Sequence, residues 1–192
     1  KPLVYVGAVG MMPKETGGGK GWKKDVEGGD MIVTVGGRVG RDGIHGVTES
    51  SLEFGEHITS GHVQIGDPFT QKKVHDFLQE ARYRNLYRLV WDMGGGGLSS
   101  AVGETAEFSG GCEVNLDEVP LKYQGLDPWE ILVSESQERM LFELDPEDIE
   151  AVEEIAEKYD LNSSVIGEVT EGERYVAEFD GETVVDLPAE YL

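Results

Sequence analysis

A single cysteine in 192 residues leaves no partner for an internal disulfide and excludes a zinc site built on several thiolates. Basic residues are scarce as well: 16 lysines and arginines stand against 38 acidic side chains, for a net charge of −22. That balance argues against an extended nucleic-acid footprint or an anionic membrane surface as a partner. No run approaches the about eighteen apolar residues of a membrane span, and no signal peptide is visible. Neither a Ser/His/Asp grouping, an HExxH zinc motif nor a paired-histidine metal motif is evident in the order of the chain.

What is present is enough for a core. The 39% hydrophobic content suits one domain of generous size, and the lone thiol suits a reducing, cytoplasmic setting. Charge is unevenly placed. Asp145 to Leu192 holds 16 acidic and 2 basic residues, whereas Lys1 to Thr48 holds 7 basic and 5 acidic ones, so an anionic ligand should favour the amino-terminal part. Lys1 is not a start methionine and Leu3 to Val9 begins abruptly as a strand. The expectation is a single-domain piece of a longer chain, with a lead-in strand and mobile Gly/Lys loop over 1–28 and the domain proper over 29–192.

Periodicity and caps outline the elements. Met31 to Val35 reads as a buried strand. Asp67-Pro68 opens a helix running to about Tyr83, with Phe69, Val74, Phe77, Leu78 and Ala81 on its apolar face. Leu89 to Trp91 is a strand and Leu98 to Phe108 a helix. Asp127-Pro128-Trp129-Glu130 starts a short helix in capping-box manner, Arg139 to Leu144 alternates as a strand, and Asp145-Pro146 opens a helix carrying Ile149, Val152, Ile155, Ala156 and Tyr159. Val165 to Thr170, Arg174 to Phe179 and Thr183 to Leu187, separated by Glu171-Gly172 and Asp180-Gly181, predict a closing antiparallel meander. The mixture predicts an α+β fold, a layered α/β/α domain with a mixed sheet.

The most informative stretch runs from Arg88 to Ser100, where an apolar strand ends at Asp92 and four glycines, Gly94 to Gly97, lead into a helix. Glycines let backbone N–H groups approach an anion closely, the helix adds its positive amino end, and a lone carboxylate suits Mg²⁺, which takes most of its ligands from water and phosphate. The competing reading is a tight strand-to-helix turn capped by Asp92. Gly36 to Gly46 is glycine-rich but matches neither the P-loop nor the dinucleotide pattern; Arg38 and Arg41 could meet phosphate, or an Arg41–Asp42 pair could be a structural turn. His45 reads as a base or as a hydrogen-bonded structural histidine. Gln64, between a short strand and the Asp67 helix start, could hydrogen-bond a ligand amide or face solvent. Ser134 to Arg139 sets a polar cluster between apolar runs, which points to a ligand or to a capped helix end.

Taken in order and spacing, Gly36-Gly37-Arg38-Val39-Gly40-Arg41-Asp42-Gly43-Ile44-His45-Gly46, Val63-Gln64-Ile65-Gly66-Asp67-Pro68-Phe69, Asp92 through Ser100, and Leu132 through Met140 strongly resemble the phosphoribosylformylglycinamidine synthase family, and Leu121 to Glu130 resembles its long forms. The resemblance implies the fold of the carboxyl-terminal domain of aminoimidazole ribonucleotide synthetase. It also implies a purine-biosynthetic ligase reaction in which ATP activates the amide oxygen of formylglycinamide ribonucleotide and ammonia from glutamine displaces phosphate. It assigns Asp92 to Mg²⁺, and Gln64, Glu135, Ser136 and Gln137 to the ribonucleotide. It places the catalytic histidine and several ATP ligands in a preceding domain and the glutaminase cysteine in another region or subunit, so no catalytic residue is expected here and Cys112 is not given glutaminase work. The implied partners are the ribonucleotide, ATP, the remaining synthetase domains and the glutaminase, with no nucleic acid and no membrane. Rival expectations are a domain of another ATP-dependent superfamily member, a kinase or maturation dehydratase, and a nucleotide-holding scaffold.

Overall fold

The computed structural model describes residues 7–16, 19–20, 25–44 and 65–192. The expected first strand falls mostly outside the described residues, and Gly7 to Val9, which lie within them, form no strand. In chain order come β1 (Glu15–Thr16), β2 (Gly19–Lys20), β3 (Met31–Gly36), α1 (Pro68–Arg84), β4 (Leu89–Asp92), α2 (Gly97–Ser109) and β5 (Cys112–Asn115). They are followed by α3 (Pro128–Val133), β6 (Arg139–Leu144), α4 (Ile149–Lys158), β7 (Asn162–Val169), β8 (Arg174–Phe179) and β9 (Glu182–Pro188). β1 and β2 form a small antiparallel pair, and the others make one sheet in the order β4-β6-β3-β7-β5-β8-β9.

The sheet has helices on both faces, as the α/β/α expectation requires. On one side Leu98, Ala101, Val102 and Ala106 of α2 join Ile131 and Leu132 of α3 against Ile32, Leu141 and Ile166. On the other, Phe77 and Ala81 of α1 join Val152, Ile155 and Ala156 of α4 against Val33, Val35, Phe142 and Leu144. Phe77 and Tyr87 both meet the Phe142 ring edge-on, with centroids 5.5 and 5.3 Å away, the geometry favoured by the ring quadrupole. β3 is central and buried on both faces, which is why Met31 to Val35 is a continuous apolar run broken only by Thr34.

Local start signals act as expected at α1, where the Asp67 side chain accepts from Phe69 N–H, and at α3, where the reciprocal Asp127–Glu130 capping box is formed. Asp145-Pro146 instead opens a 3₁₀ turn over Pro146–Asp148, and α4 follows at Ile149. Phe69, expected on the buried face of α1, is 70% exposed, because it sits on the first turn, ahead of the part of the helix that packs on the sheet.

The closing meander is corrected. β8 and β9 are an antiparallel hairpin, but β7 and β8 are separated by β5, which pairs antiparallel with β7 and parallel with β8. In the sequence, the four residues of Cys112–Asn115 carry too little alternation to stand out as a strand. β5 takes the place between β7 and β8, with Cys112 and Val114 buried beneath α2.

Candidate functional site

Strand direction gathers the site. β6 runs antiparallel to both neighbours, so its first residues lie beside the last residues of β3 and β4: Gly36 pairs with Arg139 and Asp92 with Met140. The glycine loop after β3, the glycine run after β4 and the polar turn before β6 therefore emerge at one end of the sheet. A fourth segment joins them, for Val39 forms a parallel bridge with Leu121, with Val39 N–H donating to Pro120 O and Lys122 N–H to Val39 O, both at 2.8 Å.

At the end of β4 the Asp92 carboxylate is exposed and accepts from Gly94 N–H at 3.2 Å. Two residues further on, Gly96 N–H donates to Glu135 Oε1 at 3.3 Å, so the glycine run and the polar turn are in direct contact. Glu135 N–H in turn donates to the Asp42 carbonyl at 2.9 Å, and Gln137 Nε2 donates to Glu135 O at 2.7 Å.

Behind this surface the turn is held from within. Arg139 is buried and donates from Nε to Ser136 O and from Nη2 to Ser134 O, both at 2.6 Å. Burial pushes its guanidinium down to about 10, a tendency the Asp42 carboxylate opposes. The Ser136 hydroxyl donates to Asp42 Oδ2 and accepts from Gly40 N–H at 3.0 Å, while Ser134 Oγ donates to Gly40 O at 2.6 Å. Lys122 Nζ also pairs with Asp42. Burial raises the Asp42 carboxyl, but the hydrogen bonds from Lys122 and Ser136 outweigh it and leave the group below the usual carboxylate range. Below the same end of the sheet lies a small cavity of about 10 Å³, lined among others by Thr34, Gly37, Met93, Arg139 and Asn162.

Residues 27–180 match the family described as AIR synthase related protein, C-terminal domain. The chain belongs to that family. Over its whole length it is 43% identical to the phosphoribosylformylglycinamidine synthase subunit PurL of Methanothermobacter thermautotrophicus, of which it spans 27%. Among solved structures, the PurL of Thermotoga maritima complexed with FGAR is 37% identical with a TM-score of 0.82, over 88% of this chain and 28% of that one. The same enzyme complexed with ATP gives 34% identity and a TM-score of 0.75, over 88% and 26%.

This AIR synthase related domain brings Asp92, by way of its glycine run, together with Glu135, Ser136 and Gln137. Gln64 and His45 lie outside the described residues. Arg41 is committed to the fold, with Nε paired to Glu130 at 2.6 Å and Nη2 donating to Gly125 O at 2.9 Å; its partner is Glu130 and not Asp42. Cys112 is fully buried, and burial raises its thiol to about 12, the opposite of what an activated nucleophile needs. Among the described residues no group of three or more His, Cys, Asp and Glu could enclose a metal ion, and no helix is long and apolar enough to cross a membrane.

Sequence reasoning missed Arg139 and the full role of Asp42. Arg139 stood in the polar cluster, but nothing in the order of residues marks it as buried. Asp42 stood beside Arg41, the obvious local partner, and its tie to Ser136 spans 94 positions.

Proposed function

We propose that this chain is the ribonucleotide- and magnesium-contributing domain of a cytoplasmic phosphoribosylformylglycinamidine synthase. The parent would use ATP and glutamine to convert formylglycinamide ribonucleotide to its amidine, as a ligase forming a C–N bond. Residues 29–192 would act as one domain of the longer synthetase, beside the remaining synthetase domains and a glutaminase domain or subunit. The observation that carries the reading is the contact of Gly96 N–H with Glu135 Oε1, which joins the carboxylate-bearing glycine run to the polar triplet. The names of the PurL relatives and of the complexes with FGAR and ATP support the choice of reaction.

The residues fit Mg²⁺ of the substrate-bridging kind. Asp92 supplies one exposed carboxylate beside glycine N–H groups, and magnesium in phosphoryl-transfer sites commonly takes one or two protein carboxylates and completes its shell with water and phosphate oxygens. When bound, the ion supplies charge neutralisation for polyphosphate and for the phosphate leaving group. Asp92 would hold it, fixed by Gly94 N–H. Glu135 would keep the glycine run in register with the triplet, while Gln137 and, from outside the described residues, Gln64 would donate to and accept from the ribonucleotide. No residue here is given a proton to move, since the reacting amide is activated by ATP from a neighbouring domain.

The test uses the full-length synthase. Formylglycinamide ribonucleotide should bind in a titration calorimeter, and Gln137→Ala should weaken it with the fold intact. A parent that binds no such ribonucleotide, or a Gln137→Ala variant of unchanged affinity, would sink this reading.

A further inference from the structure

The hydroxyl of Ser136 spends its one proton inside the fold. It donates to Asp42 Oδ2, accepts from Gly40 N–H and stands 3.1 Å from Ser134 Oγ, and the residue is 1% exposed. Asp42 grips the same turn a second time through its backbone, where its carbonyl accepts Glu135 N–H at 2.9 Å. Among the described residues, the charged groups facing the Asp42 carboxylate are Lys122 Nζ, which pairs with it, and the guanidinium of Arg139, which itself holds the carbonyls of Ser134 and Ser136. One residue of the first glycine loop thus ties down the side chain of one member of the triplet and the main chain of another.

We propose that Asp42 is a positioning residue for ribonucleotide binding, and that Ser136 serves the ligand through the place of its main chain while its hydroxyl is spent on Asp42. The proposal rests on the ribonucleotide reading above. A clasp of this kind fixes where Glu135 and Gln137 stand, and in catalysis a misplacement of about 1 Å can cost on the order of 100-fold in rate.

The experiment is a double-mutant cycle in the full-length synthase, with formylglycinamide ribonucleotide and MgATP affinities measured separately by calorimetry. Asp42→Ala and Ser136→Ala should each weaken the ribonucleotide by roughly 10- to 100-fold, leave MgATP unchanged, and in combination cost no more than either alone. Asp42→Asn keeps an acceptor for the Ser136 hydroxyl and should restore affinity to within about fivefold, the most an exposed ion pair such as Lys122–Asp42 is worth. Should Asp42→Ala not fold, Asp42→Asn and Lys122→Met carry the test, both being expected within that fivefold.

Additive losses would show that the Ser136 hydroxyl touches the ligand independently of Asp42 and would overturn the proposal. So would an Asp42→Asn or Lys122→Met loss as deep as that of Ser136→Ala, which would make charge and not the clasp the cause. Failure of the wild-type synthase to bind ribonucleotide at all would instead remove the functional reading on which the proposal stands.

Discussion

Gly97 lies directly beneath Ser134: a Cβ at that position would stand 2.1 Å from the Ser134 carbonyl oxygen and 3.1 Å from Leu132 O. Its φ is +56° as well, a left-handed conformation that costs a residue with Cβ about 1–2 kcal/mol. The first residue of α2 and the last turn of α3 can approach this closely only through glycine, and their approach is what sets the glycine run against the polar turn.

Gly97→Ala should therefore lower the unfolding free energy by at least ~1–2 kcal/mol from backbone strain alone, and should separate the two halves of the site. Gly103, in the middle of the same helix with open space where its Cβ would be, provides the contrast. Gly103→Ala should be neutral or stabilising by up to ~1 kcal/mol through helix propensity. Urea unfolding of the two variants checks the difference in sign.

Asp92 is exposed and its substitution leaves no buried group unsatisfied, so Asp92→Asn should fold as stably as the parent chain. In the full-length synthase the same change should raise the magnesium concentration needed for half-maximal turnover by at least roughly tenfold, the lower end of the losses seen when a metal site is perturbed. An unchanged magnesium dependence would refute the metal assignment.

Arg139 holds two carbonyls in a fork that an ammonium group cannot reproduce. Arg139→Lys should leave at least one buried carbonyl without its partner and cost about 1–3 kcal/mol. Arg139→Met should cost more, because it strands both. Chemical denaturation measures the stability losses, and titration of the full-length synthase with ribonucleotide should show weakened binding in both variants.

The Asp42 carboxyl lies below its ordinary range in the folded chain, so its ion pair and hydrogen bonds stabilise the fold fully above the unfolded value of about 3.9. That contribution is lost as the pH falls through the lowered folded value. The stability difference between the wild-type chain and Asp42→Asn should therefore be constant from neutral pH down to about 5 and shrink below about 4. Urea unfolding at a series of pH values measures it; a difference that grew on acidification would show that the sign is wrong.

What could be read from the order of residues was whatever physics acts over a few positions. Asp67 and Asp127 announce helices because their side chains reach N–H groups two or three residues on. The apolar spacing of Val74, Phe77 and Ala81 marks a face, and the alternation of Arg139 to Leu144 marks a strand. Asp92 followed by glycines marks a place where backbone can approach an anion. Motif order across nearly the whole chain carried the family, since four separated patterns in sequence are far more specific than any one of them.

The rest was decided by pairing over long distances. Nothing local says that Cys112–Asn115 inserts between β7 and β8, because the choice depends on which apolar faces remain to be covered once α2 is docked. Nothing local says that the ends of β3 and β4 meet the start of β6. Antiparallel registry does that, and it turns three separate polar loops into one surface. The inward turn of the Ser136 hydroxyl belongs to the same class: its partner lies 94 residues away, and burial beside a carboxylate, not sequence, fixes which way it points.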